Sequence, residues 1–328
     1  MASTPASGGP DYSQFTECIE IPFSNAEGGT PAIDILVNGK EISKATTSDG
    51  KAVGLDTGST VFALSHDLVP DFPEDKQGLK TGEIGYTSGT TWQGHWFPIK
   101  VTFDDKKGNT AIAEVSALVV DREKCGPVHY MGIRFGDVDI ASGQLSEKNP
   151  LLAIKQINNN TVDNKTFRYG FIMRERSIII GLTAKNTESF KCTKLPADTH
   201  EGRKGFSNEP PASIRLNNEP WMHGTALIDT GVNHMLLYTT QFSGDESVPV
   251  GTKVTMKFPD ENSESPEYSF RWPAENEERG EEVPESIEVR KSRYADKMWV
   301  NTGGNFYSKF DTLFDAEEGY WGFREGTE

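Results

Sequence analysis

Two Asp-Thr-Gly triplets are the residues of this sequence best suited to do chemistry. One runs from Asp56 to Gly58 and the other from Asp229 to Gly231, 173 residues apart in a chain of 328. Each triplet follows a short apolar run, so each aspartate comes at the end of a predicted buried strand, where a charge is poorly solvated. The glycine permits a tight turn with close backbone approach. One such triplet predicts only a turn, whereas two at half-chain spacing indicate a duplicated element.

A coupled carboxylate pair is the chemistry that these triplets predict. If the two turns face each other, the carboxylates of Asp56 and Asp229 come within hydrogen-bonding distance and cannot both ionise cheaply. The pair then shares one proton and titrates as a unit. One carboxylate can serve as general base to a water molecule while the other serves as general acid to a carbonyl group.

Short strands joined by turns are predicted to position the two triplets. The 32 glycines and 18 prolines favour many strands and turns over long helices. The segment from Leu151 to Ile157 is a predicted short helix. Apolar patterns predict strands within residues 15–23, 32–37, 52–64, 94–103, 111–120, 177–181, 224–238, 253–258, 268–272 and 298–323.

The sequence resembles the pepsin-like aspartic proteases along nearly its whole length. The first triplet lies in DTGST at residues 56–60, and EIGYTSGTTWQG at residues 83–94 resembles the flap hairpin of that family. The segment GGNFYSKFDTLFDAEEGYWGF at residues 303–323 resembles its last strands. The resemblance implies an all-β, bilobal fold with two six-stranded-type lobes and a central cleft.

The resemblance also implies a role for each residue of the motifs. Asp56 and Asp229 would be the catalytic dyad, in turns shaped by Gly58 and Gly231. Thr57 and Thr230 would each bond across to the backbone of the opposite lobe. Ser59 would donate a hydrogen bond to the outer oxygen of Asp56. The flap, made of Tyr86, Thr87, Ser88 and Gly89, would close on the substrate.

The domain organisation follows from the duplication. A length of 328 residues exceeds the roughly 250–300 residues at which one hydrophobic core usually stops growing. We predict a disordered N-terminus at residues 1–12, an N-terminal lobe at residues 13–195 with the first triplet and the flap, and a C-terminal lobe at residues 196–328 with the second triplet.

Two positions beside the triplet and the flap depart from the family pattern. Val232 stands where the family has a threonine or serine, so the hydroxyl that should support Asp229 is missing. The loss of a hydrogen-bond donor favours the neutral carboxyl group and raises its pKa. Ala63 stands near the family's tryptophan that holds the flap tyrosine, and Trp92 or Trp96 is a candidate substitute.

Polar residues also stand where apolar segments should pack behind the triplets. These segments contain Arg134 in the first half and the pair Asn301-Thr302 in the second. A buried charge needs a partner, so Arg134 predicts an acidic neighbour. We take Arg134, Val232 and His234, which follows the second triplet closely, as candidate cleft residues.

Composition and charge limit the partners. The net charge of −16 repels phosphate backbones, so we predict no nucleic-acid partner. No stretch approaches the ~20 apolar residues of a membrane span, and residues 1–12 do not resemble a signal peptide. Three widely spaced cysteines, Cys18, Cys125 and Cys192, make a poor disulfide framework and favour a reducing compartment. We expect an intracellular, cytoplasmic monomer without membrane contact, cofactor or metal.

Three functions are compatible with the sequence. The first is an intracellular aspartic endopeptidase that hydrolyses a peptide substrate through an activated water molecule. The second is an enzyme of the same fold that performs other acid–base chemistry on a small-molecule biosynthetic intermediate, as a cyclase, dehydratase or isomerase. The third is a non-catalytic binding protein. A peptidase needs a cleft for several extended residues, whereas a small-molecule enzyme needs a short, closed, aromatic-lined pocket.

Overall fold

The structure is a computed structural model that describes residues 9–25, 29–86, 89–137, 141, 143–199, 203, 205–239, 246–273, 277–291 and 297–326. In these residues nearly every regular element is a strand. The helical elements are the α-helix Arg122–Cys125 (α1) and the 3-10 helices His66–Leu68, Ser146–Lys148, Pro150–Leu152 and Gly304–Ser308.

The strands follow the turn-rich pattern of the sequence. Those of the first half are Ile19–Pro22 (β1), Ala32–Ile33 (β2), Ile35–Val37 (β3), Lys40–Ile42 (β4), Val53–Asp56 (β5), Phe62–Ser65 (β6), Thr81–Gly85 (β7), Thr91–Asp104 (β8), Thr110–Val120 (β9), His129–Gly132 (β10), Ile154–Ile157 (β11), Asn160–Thr161 (β12), Gly170–Met173 (β13), Ser177–Ile180 (β14) and Lys191–Lys194 (β15). Those of the second half are Pro211–Leu216 (β16), Met222–Leu227 (β17), Met235–Thr239 (β18), Glu246–Ser247 (β19), Lys253–Lys257 (β20), Tyr268–Arg271 (β21), Ile287–Lys291 (β22), Met298–Asn301 (β23), Phe310–Asp315 (β24) and Tyr320–Glu325 (β25).

Each half of the chain builds its own sheet around its triplet. In the first half the order is β2-β5-β10-β6-β9-β8-β3-β4, with β7 added to β8 and with β11 and β12 beside β9. In the second half it is β19-β22-β18-β23-β17-β16-β20-β21. The strand before each triplet, β5 or β17, lies beside a parallel strand, β10 or β23. The all-β, two-lobed architecture predicted from the duplication is therefore confirmed.

A third sheet joins the two halves. Its order is β1-β14-β13-β24-β25-β15, so the last two strands of the chain pair with strands that precede residue 195. Phe314 of β24 packs against Phe135 and stacks on Phe171 of β13. Arg168 forms a buried ion pair with Asp315 of β24 at 2.9 Å. These contacts hold the two lobes against each other below the triplets.

The structure differs from the predicted helix at Leu151 to Ile157, and it describes only part of the predicted disordered N-terminus. The predicted helix from Leu151 to Ile157 is helical only at Leu151 and Leu152, which belong to the 3-10 helix Pro150–Leu152. The rest is wrong, because Ile154–Ile157 is strand β11, which pairs with β9 and buries Ile154 and Ile157. The predicted disorder of residues 1–12 falls largely outside the described residues, which begin at Gly9. Within them Tyr12 is buried and donates a hydrogen bond to Asp315 at 3.1 Å.

Candidate active site

The two Asp-Thr-Gly turns meet at the junction of the lobes. Asp56 is the last residue of β5, and Asp229 lies two residues after the end of β17. Both carboxylates are buried, with 4% and 8% of the residue surface exposed. Each accepts a hydrogen bond from the glycine amide of its own triplet, from Gly58 at 2.7 Å and from Gly231 at 2.8 Å.

The threonines of the triplets lock the turns together. Thr57 Oγ1 donates to the carbonyl oxygen of Ile228 at 2.6 Å, and Thr230 Oγ1 donates to that of Leu55 at 2.7 Å. Each hydroxyl also accepts from the backbone amide of the opposite threonine, both at 3.0 Å. These reciprocal bonds are the interlock that the resemblance implied for Thr57 and Thr230. These bonds hold the two turns together without using the side chain of either aspartate, and so they fix how far apart the two aspartates lie.

The triplet glycines allow the carboxylates to approach each other. A Cβ atom added to Gly58 would lie 2.6 Å from Asp229 Oδ1, and one added to Gly231 would lie 2.8 Å from Asp56 Oδ1. Real Cβ atoms do not come this close to an oxygen atom. Glycine is therefore needed at these two positions for a second reason besides the tight turn: any larger residue would collide with the carboxylate of the opposite lobe.

The environment of Asp229 favours its protonated form. Burial, the negative charge of Asp56 and a hydrogen bond with Asp56 together raise the pKa of Asp229 well above its usual value. Hydrogen bonds from Asn301 and Gly231 oppose this shift but are outweighed. The raised pKa favours a proton on the Asp229 carboxyl group, which is hydrogen-bonded with Asp56.

Tyr130, on β10, is the residue that supports the outer oxygen of Asp56. Its phenol hydroxyl donates a short hydrogen bond to Asp56 Oδ2. The resemblance had assigned this bond to Ser59, but the Ser59 hydroxyl has no hydrogen-bond partner among the described residues. Ser59 lies instead against β10, where an added Cβ on Gly132 would come 2.6 Å from its hydroxyl. The larger phenol of Tyr130 reaches the carboxylate from the neighbouring strand and takes the place of the hydroxyl.

Asn301, at the end of β23, supports an oxygen of the Asp229 carboxylate in the same way. Its side-chain amide donates to Asp229 Oδ2 at 2.7 Å, and its own oxygen accepts from the Gly303 amide at 2.9 Å. We predicted that the missing hydroxyl at Val232 would raise the pKa of Asp229. The pKa is raised, but burial and the charge of Asp56 are the causes, while the Asn301 amide supplies a donor to the carboxylate.

A buried cation lies behind the pair. The Arg134 guanidinium, with 14% of its side chain exposed, lies 3.5 Å from Glu209, which is the acidic partner that the sequence analysis predicted. Its Nε atom has no hydrogen-bond partner among the described residues. Burial lowers the pKa of Arg134, while Glu209, Asp229 and Asp56 oppose that shift in this order. The positive charge therefore acts on both carboxylates.

Comparison with known proteins identifies the architecture. No protein-family model matches the sequence, and no curated protein matches it. Among solved structures, the crystal structure of the aspartic proteinase from Irpex lacteus matches over 95% of this chain and 98% of its own, with a TM-score of 0.57 and 14% sequence identity. The chain has the pepsin-like aspartic proteinase fold. At this identity the likeness establishes the fold and leaves the activity to be argued from the site.

The flap of this pepsin fold is the β7–β8 hairpin. Tyr86 follows β7, and its ring packs edge-on against Trp92 at 5.0 Å and against Tyr130 at 5.9 Å between centroids. Of the two tryptophans proposed to replace the one missing at Ala63, Trp92 is therefore the one whose ring packs against Tyr86. Gly89 completes the turn with a positive φ of 87°, and its amide donates to the Tyr86 carbonyl oxygen at 2.9 Å. Thr87 and Ser88 lie outside the described residues.

The remaining candidate cleft residues lie beside the second turn. The Val232 carbonyl oxygen accepts from the Gly304 amide at 2.8 Å, which ties the turn to the segment after β23. The His234 backbone lies against Gly303, and its side chain is partly buried. Among the described residues no group of three or more histidine, cysteine or acidic side chains is arranged to hold a metal ion.

Three functional candidates escaped the sequence analysis or were misjudged there. No motif or pattern of the sequence points to Tyr130 or Glu209. Asn301 was read as a disturbance of the apolar pattern. The one available signal was positional, since Tyr130 and Asn301 both belong to the strands that had to pair beside the triplets.

Proposed function

We propose that this protein is an aspartic endopeptidase. The observation that carries the proposal is the pair of buried carboxylates, Asp56 and Asp229, fixed opposite each other by the Thr57–Thr230 interlock, with the pKa of Asp229 raised. Both turns, both threonines and the flap tyrosine of a pepsin fold are retained in sequence. The fold likeness to an aspartic proteinase agrees with this reading.

The protonation asymmetry assigns the two roles. Asp56, ionised and supported by Tyr130, takes a proton from a water molecule as the water oxygen attacks the peptide carbonyl carbon. Protonated Asp229 donates its hydrogen bond to the carbonyl oxygen and stabilises the tetrahedral intermediate. When the carbon–nitrogen bond breaks, the proton held by Asp56 passes to the nitrogen of the amine that leaves. Asp229 keeps its own proton, so the pair is again singly protonated.

The partner we propose is an extended peptide under the flap. The edge of the Tyr86, Trp92 and Tyr130 rings covers the Asp56 side of the pair with apolar surface. Aromatic and apolar substrate side chains next to the cleaved bond fit this surface. We also propose that the protein acts as a monomer within the cell and needs no cofactor.

Peptide-library cleavage between pH 3 and 7.5 tests the proposal. The wild type should cleave, and both a statine-type transition-state mimic and the Asp56→Asn substitution should abolish cleavage. A matched control is Asp163→Asn, which removes a carboxylate from an exposed turn that is not part of the aspartate pair. If folded wild-type protein cleaves no peptide at any of these pH values, the endopeptidase proposal is wrong.

One observation favours a second candidate, acid–base chemistry on a small molecule. Tyr130 occupies the outer oxygen of Asp56 and contributes a phenol to the aromatic group around the pair. A phenol next to a coupled carboxylate pair is a third group that can pass a proton, and isomerisation and dehydration both need proton transfers between two sites of a substrate. Under this candidate, library peptides are not cleaved, while Asp56→Asn still changes the binding of a small carbonyl compound.

A further inference from the structure

A cavity of about 450 Å³ lies beside the flap hairpin, on residues that do not belong to the aspartate pair. Its walls include Gly82 and Glu83 of β7 and Gly94 and Trp96 of β8. Asp56, Asp229, Tyr86 and Tyr130 are not among its lining residues. Its volume matches that of a small-molecule site.

The cavity is basic although the chain is strongly acidic. Lys76, Lys80 and Lys124 line it together with two histidines, His66 and His95, in a protein with a net charge of −16. Two acidic residues also line it, but both are engaged by the chain. The pairs are Glu83 with the Gln93 side-chain amide and Asp121 with the Glu123 backbone amide and Lys124. Three lysines against two carboxylates leave the lining with a positive formal charge.

Lys148 does not line the cavity itself, but its ammonium group lies against two residues that do. The residue is 9% exposed, and its Nζ atom lies 3.2 Å from the centre of the Trp96 ring. An added Cβ on Gly143, another lining residue, would come 2.8 Å from the same atom. Within the described ranges Lys148, Lys76 and Lys80 form no ion pair with a carboxylate. The Trp96 ring and the charge of Glu147 stabilise the Lys148 ammonium group in part, and an anionic ligand would add the carboxylate or phosphate contact that it lacks.

The lysines also act on each other. Burial and the charge of Lys80 lower the pKa of Lys148 to about 8, and Glu147 only partly offsets this shift. Like charges held together without a counter-ion are the arrangement that anion-binding sites use, because the ligand relieves the repulsion when it binds.

We propose that this cavity binds a small polyanion that carries phosphate or carboxylate groups, in a site separate from the aspartate pair. The Nζ atoms of Lys148 and Lys80 hold the anion, while Lys76, Lys124 and the histidines add long-range attraction. The proposal does not depend on the endopeptidase function. It adds a ligand site on the same hairpin that carries Tyr86.

Isothermal titration and thermal unfolding with inorganic pyrophosphate and with citrate test this site. Each is measured at pH 6.5 against sodium chloride of equal ionic strength. The variants are Lys148→Met, which keeps the side-chain length over Trp96, and Lys80→Gln, at an exposed position that leaves the fold untouched. The matched control is Lys155→Gln on strand β11, an exposed lysine that does not line the cavity.

We expect one or both anions to bind and to raise the unfolding temperature beyond the salt control. Lys148→Met and Lys80→Gln should each weaken binding at least tenfold, and Lys155→Gln should leave it within twofold. Binding of pyrophosphate alone identifies a phosphate ligand, and binding of citrate alone a carboxylate ligand. The proposal is overturned if neither anion exceeds the salt control, or if Lys80→Gln binds as tightly as Lys155→Gln.

Discussion

Tyr130 and Asn301 occupy equivalent positions in the two lobes. Tyr130 pairs in parallel with Gly54, two residues before Asp56, and Asn301 pairs in parallel with Leu227, two residues before Asp229. On their other side they pair with Ala63 and Leu236, each seven residues after the aspartate. Each donates a hydrogen bond to Oδ2 of its own aspartate. The two lobes therefore support their carboxylates from the same place, with a phenol in one and an amide in the other.

The phenol of Tyr130 should matter for catalysis through Asp56. Tyr130→Phe removes the donor, and a hydrogen bond to a charged group contributes about 1.5–3 kcal/mol, so kcat should fall roughly tenfold or more with little change in KM. The control is Tyr169→Phe, which removes a phenol that donates to the Ile154 carbonyl oxygen at 3.0 Å away from the pair. An unchanged or higher kcat for Tyr130→Phe would show that the phenol does not support the base.

Asn301 should be replaceable by the hydroxyl that Val232 lacks. Asn301→Val removes the amide donor to Asp229 Oδ2, so the carboxyl pKa rises further and activity should fall about tenfold. Adding Val232→Thr in the same chain restores a donor and should recover part of the loss. Val232→Thr alone should change activity little, because Asn301 already donates. If the double variant is no better than Asn301→Val, the two donors are not equivalent.

Arg134 should set the pH range of activity. Its positive charge favours the ionised form of the pair, so Arg134→Gln should move both limbs of the pH–rate profile upward. Glu209→Gln removes the opposing negative charge and should move the limbs downward. The pH–rate profiles of the two variants, measured with one peptide substrate, should therefore shift in opposite directions from that of the wild type. A purely structural role for Arg134 would lower the rate without moving either limb.

Asp229 should make stability depend on pH. Its pKa is raised in the folded state, so the folded chain keeps a proton that the unfolded chain releases. The stabilising contribution is therefore complete below the unfolded pKa of about 3.9 and is lost as pH rises through the folded pKa. Relative to wild type, the free energy of unfolding of Asp229→Asn should rise between pH 3.5 and pH 7.5.

Urea unfolding at the two pH values measures this difference. The control is Glu74→Gln, which removes an exposed carboxylate and should show the same difference from wild type at both values. A relative stability of Asp229→Asn that does not change with pH would mean that the folded state holds no additional proton at this site.

The sequence by itself determined the two triplets and the two-lobed β architecture. These features depend on short-range patterns, because a strand followed by Asp-Thr-Gly fixes its own turn and the duplication fixes the partner. Local pattern failed at Ile154–Ile157, where pairing with β9 outweighed the short-range signal for a helix.

The tertiary structure alone decided which residues complete the site. Tyr130 and Asn301 lie 74 and 72 residues from the aspartates they support, and only the register of the parallel pairs β5–β10 and β17–β23 brings them together. The same holds for Glu209 beside Arg134 and for Lys148 over Trp96. Side chains that meet across different strands leave no periodic signal in the sequence, because their spacing is set by the packing of the whole lobe.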